Sequence, residues 1–153
     1  MAAWGEFASA RPDMAEVLLK LLDWIPITYL ATVDKAGAPR VHPVCPIIAA
    51  GRMFVATAPT SPKRLDLVRD GRYALHAMPG KDDTEFYLTG RATEITDRQT
   101  LAKAGKAAQA DGLNINPEEL LFEFDIEHAM TAYWEKVGQP GTYAVRQFWH
   151  APG

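Results

Sequence analysis

Polar and apolar positions alternate with two different periods along this chain. Over Met14–Trp24, "MAEVLLKLLDW", the residues Val17, Leu18, Leu21 and Leu22 recur at helical spacing, and Pro26 stops the pattern. Short runs rich in β-branched and aromatic residues follow. "TYLATV" (Thr28–Val33) predicts a strand, and "DKAGAP" a turn by its Asp, Gly and Pro content. "RVHPVCPIIAA" predicts a second strand and "GRMFVAT" a third. A helix is expected from Ser61 to Asp70, with Ser61 as N-cap, Pro62 at the first helical position and Gly71 as the stop. Strands "YALHAM" and "TEFYLTGRATEI" flank a "PGKDD" turn. Thr96 or Asp97 then caps a helix running to about Ala110. After the loop "DGLNINPEE", "LLFEFDI" and "AMTAYWEKV" look like separate strands, and "TYAVRQFW" is the last.

Seven or eight strands with short links make neighbours antiparallel. Their incomplete alternation suits a sheet with one face inside a small barrel. The expected fold is therefore mainly β: an antiparallel barrel with flanking helices, in one domain over 1–153. Residues 1–24 form an N-terminal arm and helix, and 25–153 the barrel. No repeats or linkers interrupt it.

Composition excludes several classes. The 153 residues carry 48% hydrophobic and 23% charged side chains, normal for a globular domain able to bury a core. A net charge of −3 gives no general basic field for nucleic acid or an anionic membrane. No apolar run approaches the roughly 18–20 residues of a transmembrane helix. The first residues lack a basic stretch followed by an apolar one, so no secretory leader is expected and a cytoplasmic placement is the natural expectation. The single Cys45 excludes an intramolecular disulfide and a CxxC metal site. Its apolar neighbours suggest an inert thiol. His42, His76, His128 and His150 show no metal-ligand spacing, so no metal site is expected.

Two stretches invite a chemical reading. In "FVATAPTSPKRLDLVRDG", Lys63 and Arg64 stand in the first turn of the expected helix, where the dipole disfavours cations. A phosphate would remove that objection. Thr57, Ser61, Lys63, Arg64 and free backbone N–H groups could converge on one, because helix starts bind anions. The competing reading is a solvated helix start. In "RVHPVCPII" two prolines interrupt an apparent strand, which leaves backbone groups free for the polar edge of a heterocycle or marks a protected barrel edge. By period two, Arg40, His42, Val44 and Pro46 share one face, and Val41, Pro43, Cys45 and Ile47 the other.

In order, "YLATVDKAGAPRVHPV", "RMFVATAPTSPKRLDLVRDGRYALHAM" and "FYLTGRATEI" resemble the pyridoxamine 5′-phosphate oxidase-like flavin-binding split barrels, from about Ile25 to Ile95. The resemblance implies a six-stranded split barrel and a homodimer with cofactor sites at the subunit interface. "T-A-P-T-S-P-K" matches the family's phosphate segment, so Thr57, Ser61 and Lys63 are implied as phosphate ligands, with Arg64 beside them. Arg40, Val41, His42, Pro43 and Val44 are implied beside the flavin ring. The partner's share usually comes from the C-terminal part, which here offers Trp134, Arg146, Phe148 and Trp149. Only "HAPG" follows Trp149, so the C-terminal arginine-rich motif of the vitamin B6 oxidases proper is missing and that reaction is not expected. A related branch uses the deazaflavin F420 and typically has Arg where this chain has Ser61, which favours FMN. The expected activity is an FMN-dependent oxidoreductase of a small-molecule substrate, with a nicotinamide or other donor. The alternatives are an F420-dependent reductase, or a non-catalytic flavin- or haem-binding protein of storage, stress or sensing. In such enzymes the cofactor carries the chemistry, so the missing catalytic triad says nothing against an enzyme.

Overall fold

A computed structural model describes residues 1–153. Four helices and eight strands follow in the order α1 (Trp4–Ala10), α2 (Pro12–Trp24), β1 (Thr28–Val33), β2 (Pro39–Val44), β3 (Ile47–Ala49), β4 (Arg52–Thr57), α3 (Pro62–Arg69), β5 (Arg72–Ala77), β6 (Glu85–Ile95), α4 (Arg98–Ala110), β7 (Leu120–Glu135) and β8 (Tyr143–His150). The fold is mainly β, as the alternation implied, with eight strands in one antiparallel sheet, the upper end of the seven or eight read from the pattern and two more than the six-stranded barrel the resemblance implied. Neighbours run β2-β1-β5-β6-β7-β4-β3, with β8 also on β7.

This path has two ends, β2 and β3, and only Cys45 and Pro46 separate them in the chain. The sheet's two edges therefore meet at a covalent seam rather than through a hydrogen-bond ladder. A single "RVHPVCPIIAA" strand was expected; Pro46 cannot donate to a ladder, and the strand breaks there. One buried cluster draws from both sides of the seam: Leu30, Val44, Leu75 and Leu88 with Met53, Val55, Phe122 and Phe124. The sheet is thus wrapped round a single core, the geometry of a split barrel.

Strand β7 is the spine. The two expected strands over Leu120–Val137 are one 16-residue strand. It pairs β6 along one edge. Along the other it pairs β4 through Leu120–Glu123, then β8 through His128–Glu135. Ala2 fills the space between them, exchanging both backbone bonds with Ile126 at 2.9 and 2.8 Å. A register shift at Thr89/Gly90 accommodates the change of partner. A Cβ on Gly90 would lie 1.9 Å from the Asp125 carbonyl oxygen, so only glycine fits this wall position.

Helix α2 begins at Pro12 rather than Met14, and α1 was not expected at all. Seven residues are too few for a periodic signal, but Glu6 accepts from the Ala3 N–H at 2.7 Å, and Trp4 and Phe7 are buried in the core. Helix α4 starts as its sequence suggests, with the Asp97 carboxylate accepting from the Thr100 N–H at 2.8 Å.

Candidate functional site at the barrel seam

Cross-strand register decides which way β2 faces. Pro43 stands opposite Tyr29, and the row continues through His76, Tyr87 and Met130 to Phe148. This row lies on the outward face: Tyr29 is 46% and Phe148 56% exposed, while Met130 between them is covered. Val41 shares that face and is 61% exposed. Arg40, His42 and Val44 therefore turn the other way, onto Thr32, Leu30 and Thr28. The expected split of β2 into two faces holds through Val44.

Helix α3 docks on that inward side through Asp66, which is 2% exposed. Its Oδ2 accepts from the Thr32 hydroxyl at 2.8 Å and lies 3.0 Å from Arg40 Nε, an ion pair without hydrogen-bond alignment. Its Oδ1 accepts from Arg69 at 3.1 Å. Thr32 and Arg40 are register partners, so one buried carboxylate ties α3 to β1 and β2 together. The charge of Arg40 is already matched by Asp66. No sequence pattern pointed to Asp66, because an Asp in a helix looks like any solvated one until the sheet is laid against it.

The start of α3 departs from the expected cap. Ser61 occupies the N-cap position, but its hydroxyl does not bond the helix. It accepts instead from Lys63 Nζ at 2.9 Å. Burial pushes the Lys63 amine below its ordinary value, and the charge of Glu119 acts the other way. Arg64 turns back to donate to the Pro59 carbonyl at 2.8 Å. Thr57 is fully buried, and its hydroxyl donates to the Leu120 carbonyl at 3.2 Å, so it fastens β4 to β7. Of the four expected phosphate residues, Ser61 and Lys63 form the available pair.

An open depression of about 310 Å³ lies at this point, lined by Ile27, Pro43, Val44, Cys45, Lys63 and Glu119, among others. It sits on the seam, where β2 ends and the ladder stops. His42 stands close enough for the Lys63 and Arg40 charges to act on it. Burial first, then those two cations, hold its imidazole below the ordinary value, against the opposing charge of Asp66. Its Nε2 is buried with no hydrogen-bond partner. The His42 ring nitrogen and the desolvated Lys63 amine both have hydrogen-bonding capacity that the chain itself does not use in full. Pro43 and Val44 line the depression from β2, and Lys63 reaches it from α3.

The C-terminal candidates lie elsewhere. Trp134 and Arg146 stand on the outward face of β7 and β8, on neighbouring cross-strand pairs. Trp149 faces inward, with its ring 5.1 Å from that of Phe7. Within one chain these three are not brought to the Lys63 depression. No group of three or more potential metal ligands occurs, and no helix is long and apolar enough to cross a membrane.

Together these features define an antiparallel split barrel with a small depression at its seam, lined by both Lys63 and Glu119. The family model described as pyridoxamine 5′-phosphate oxidase matches residues 14–132, and the chain belongs to that family. No curated protein matches the chain by sequence. Solved structures share the fold at low identity. A haem-binding protein from Mycobacterium smegmatis is 17% identical at a TM-score of 0.63, over 88% of this chain and 58% of that one. This chain thus spans 58% of the length of the mycobacterial protein. A Clostridium acetobutylicum protein of the pyridoxinephosphate oxidase family, related to general stress protein 26 of B. subtilis, is 14% identical at 0.60, over 83% of this chain and 89% of that one. HutZ, the haem storage protein of Vibrio cholerae, is 16% identical at 0.59, over 74% and 90%.

Proposed function

We propose that this protein is an FMN-binding oxidoreductase that works as a homodimer on a small, fairly apolar substrate. The observation that carries the reading is the pair at the seam: the desolvated Lys63 amine, held by Ser61 alone, beside the unpartnered His42 Nε2. Lys63 and Ser61 would hold the phosphate, and Pro43, Val44 and His42 would border the ring. When bound, the flavin supplies the hydride chemistry. The chain's own residues bind and orient it, and the buried seam keeps water from one side. Arg40, paired to Asp66, fixes the shape of the site rather than adding free charge. Arg64 and Thr57 support the loop and strand from which Lys63 projects.

Assembly is supported by the outward face. Tyr29, Val41 and Phe148 are exposed apolar side chains on one outward face, with His76 and Tyr87 between them, and Trp134 and Arg146 lie on the same face of β7 and β8. An exposed apolar surface of this kind marks an association site. Two-fold pairing through it would let one copy's Trp134 and Arg146 approach the other's seam.

The test is a titration of wild type and Lys63→Ala with FMN and with riboflavin. A charge-assisted hydrogen bond contributes roughly 1.5–3 kcal/mol, so FMN binding should weaken about ten- to a hundredfold. Riboflavin, which has no phosphate, should lose far less. Equal losses for both ligands would remove the phosphate from Lys63. A visible spectrum separates the alternatives: a deazaflavin band indicates F420, and a Soret band indicates haem. The haem reading draws on the mycobacterial and Vibrio proteins of similar fold. Turnover with NADH or NADPH distinguishes an enzyme from a non-catalytic binder.

A further inference from the structure

The seam leaves unused a second cluster, where β7 and β8 pair. His128 and His150 are direct cross-strand partners. Their rings meet edge to face, with centroids 4.5 Å apart and planes at 82°. The two Nδ1 atoms are in hydrogen-bond contact with each other. Both rings are accessible: the His128 side chain is 42% exposed, and His150 is exposed.

This meeting depends on the register shift in β7. Opposite β6, Ile126 pairs with Gly90 but His128 pairs with Thr89, so Glu127 is the extra residue. Before the shift, even-numbered residues such as Phe124 and Ile126 face the core. After it, His128 faces outward in line with Thr89, Ala74 and Val41. Without the extra residue His128 would point into the barrel. A bulge that re-aims one side chain onto a like partner is a device rather than an accident of sequence.

We infer that His128 and His150 chelate one divalent transition-metal ion through their Nδ1 atoms, with Zn2+ as the representative ion. Two Nδ1 atoms can touch only with a proton between them, and an ion can take that proton's place. Imidazole suits Zn2+, Ni2+ and Cu2+. Tetrahedral Zn2+ needs its two nitrogens about 3.3 Å apart at Zn–N distances of about 2.0–2.1 Å. Ring rotation supplies that spacing, because both side chains are on the surface. Glu127 adds negative charge close to the pair, its Oε1 3.8 Å from Nε2 of His128. Two protein nitrogens leave the other coordination positions to water, so the site is open and exchangeable.

His128 and His150 lie outside the Lys63 depression, so metal binding is read on the protein without FMN. The test is a calorimetric titration of the chelator-treated protein with Zn2+. One ion should bind per chain. His128→Gln and His150→Gln should each weaken binding at least about tenfold. His76→Gln, an outward histidine two rows of pairing away in β5, should leave it unchanged. With Cu2+, the wild-type electron paramagnetic resonance spectrum should show coupling to two nitrogens, and each variant to fewer. Because the Zn2+ titration is made without FMN, its failure is distinct from failure of the flavin site. Zn2+ binding that is absent, or that survives both substitutions, overturns the proposal.

Discussion

At the scale of single residues, His42 is the most informative group, because its surroundings disfavour a charge that an anion would restore. Its imidazole is held below the ordinary 6.5 by burial, then by Lys63 and Arg40. Between 6.5 and that lowered value the unfolded chain binds more protons than the folded one. Stability should therefore fall as pH drops through this window and be recovered above it. An FMN phosphate beside Lys63 should raise the His42 value, so that cofactor binding takes up protons on the acid side of neutrality. Proton NMR titration of the His42 ring with and without FMN checks both signs. An unchanged midpoint would place His42 away from the cofactor. The motif around Lys63 was legible in the sequence because its spacing is local. The outcomes for Thr57 and Arg64 were not. Whether a hydroxyl or guanidinium is spent on a carbonyl depends on Leu120 and on the fold of the Ala58–Thr60 turn, and neither is written in the spacing.

At the scale of elements, the seam is held by a helix docked through a buried carboxylate. Asp66→Ala removes the acceptor shared by Thr32, Arg40 and Arg69. Both arginines are partly exposed and can turn to water, so the loss should fall near about 2–3 kcal/mol rather than at the upper end for buried pairs. Urea unfolding reads it, and FMN affinity should fall with it as Arg40 loosens beside His42. Asp66→Asn, which keeps an acceptor for Thr32, should cost less. Most elements were legible from alternation and turn residues. The errors cluster where local pattern and tertiary pairing diverge. "LLFEFDI" and "AMTAYWEKV" looked like two strands because the side-chain phase changes between them, yet the change is a bulge within one strand. "RVHPVCPIIAA" looked like one strand because most of its residues are apolar and no Gly or Asn divides it, yet the break at Pro46 makes the two ends of the sheet.

At the scale of the whole molecule, Tyr29, Val41 and Phe148 stand exposed on one outward face of the barrel. The protein should be a dimer in solution, read by light scattering. Phe148→Glu should shift it toward monomer without unfolding it, since Phe148 is 56% exposed in the single chain. If the cofactor site is shared, the same variant should lose FMN affinity although Phe148 lies far along the sheet from Lys63. A Phe148→Glu protein that stays dimeric would move the interface elsewhere. The sequence carried Tyr29, Val41 and Phe148, but not their placement on one face. Only the register of β2-β1-β5-β6-β7-β8 sets those side chains in line.

The bond between Ala2 and Ile126 has a consequence for aggregation. Ala2 acts as a two-bond plug in the one stretch of the β7 edge that neither β4 nor β8 covers. Removing residues 1–3 would strip that stretch of its partner and leave the N–H and C=O of the fully buried Ile126 unsatisfied, each at a cost of about 1–3 kcal/mol. An uncovered strand edge is a template for any extended chain, including another copy of this one. The shortened protein should therefore clump on warming at temperatures where the intact chain stays clear, with turbidity rising alongside the infrared signal of intermolecular β-structure. Adding a short extended peptide in trans should delay it by occupying the same gap.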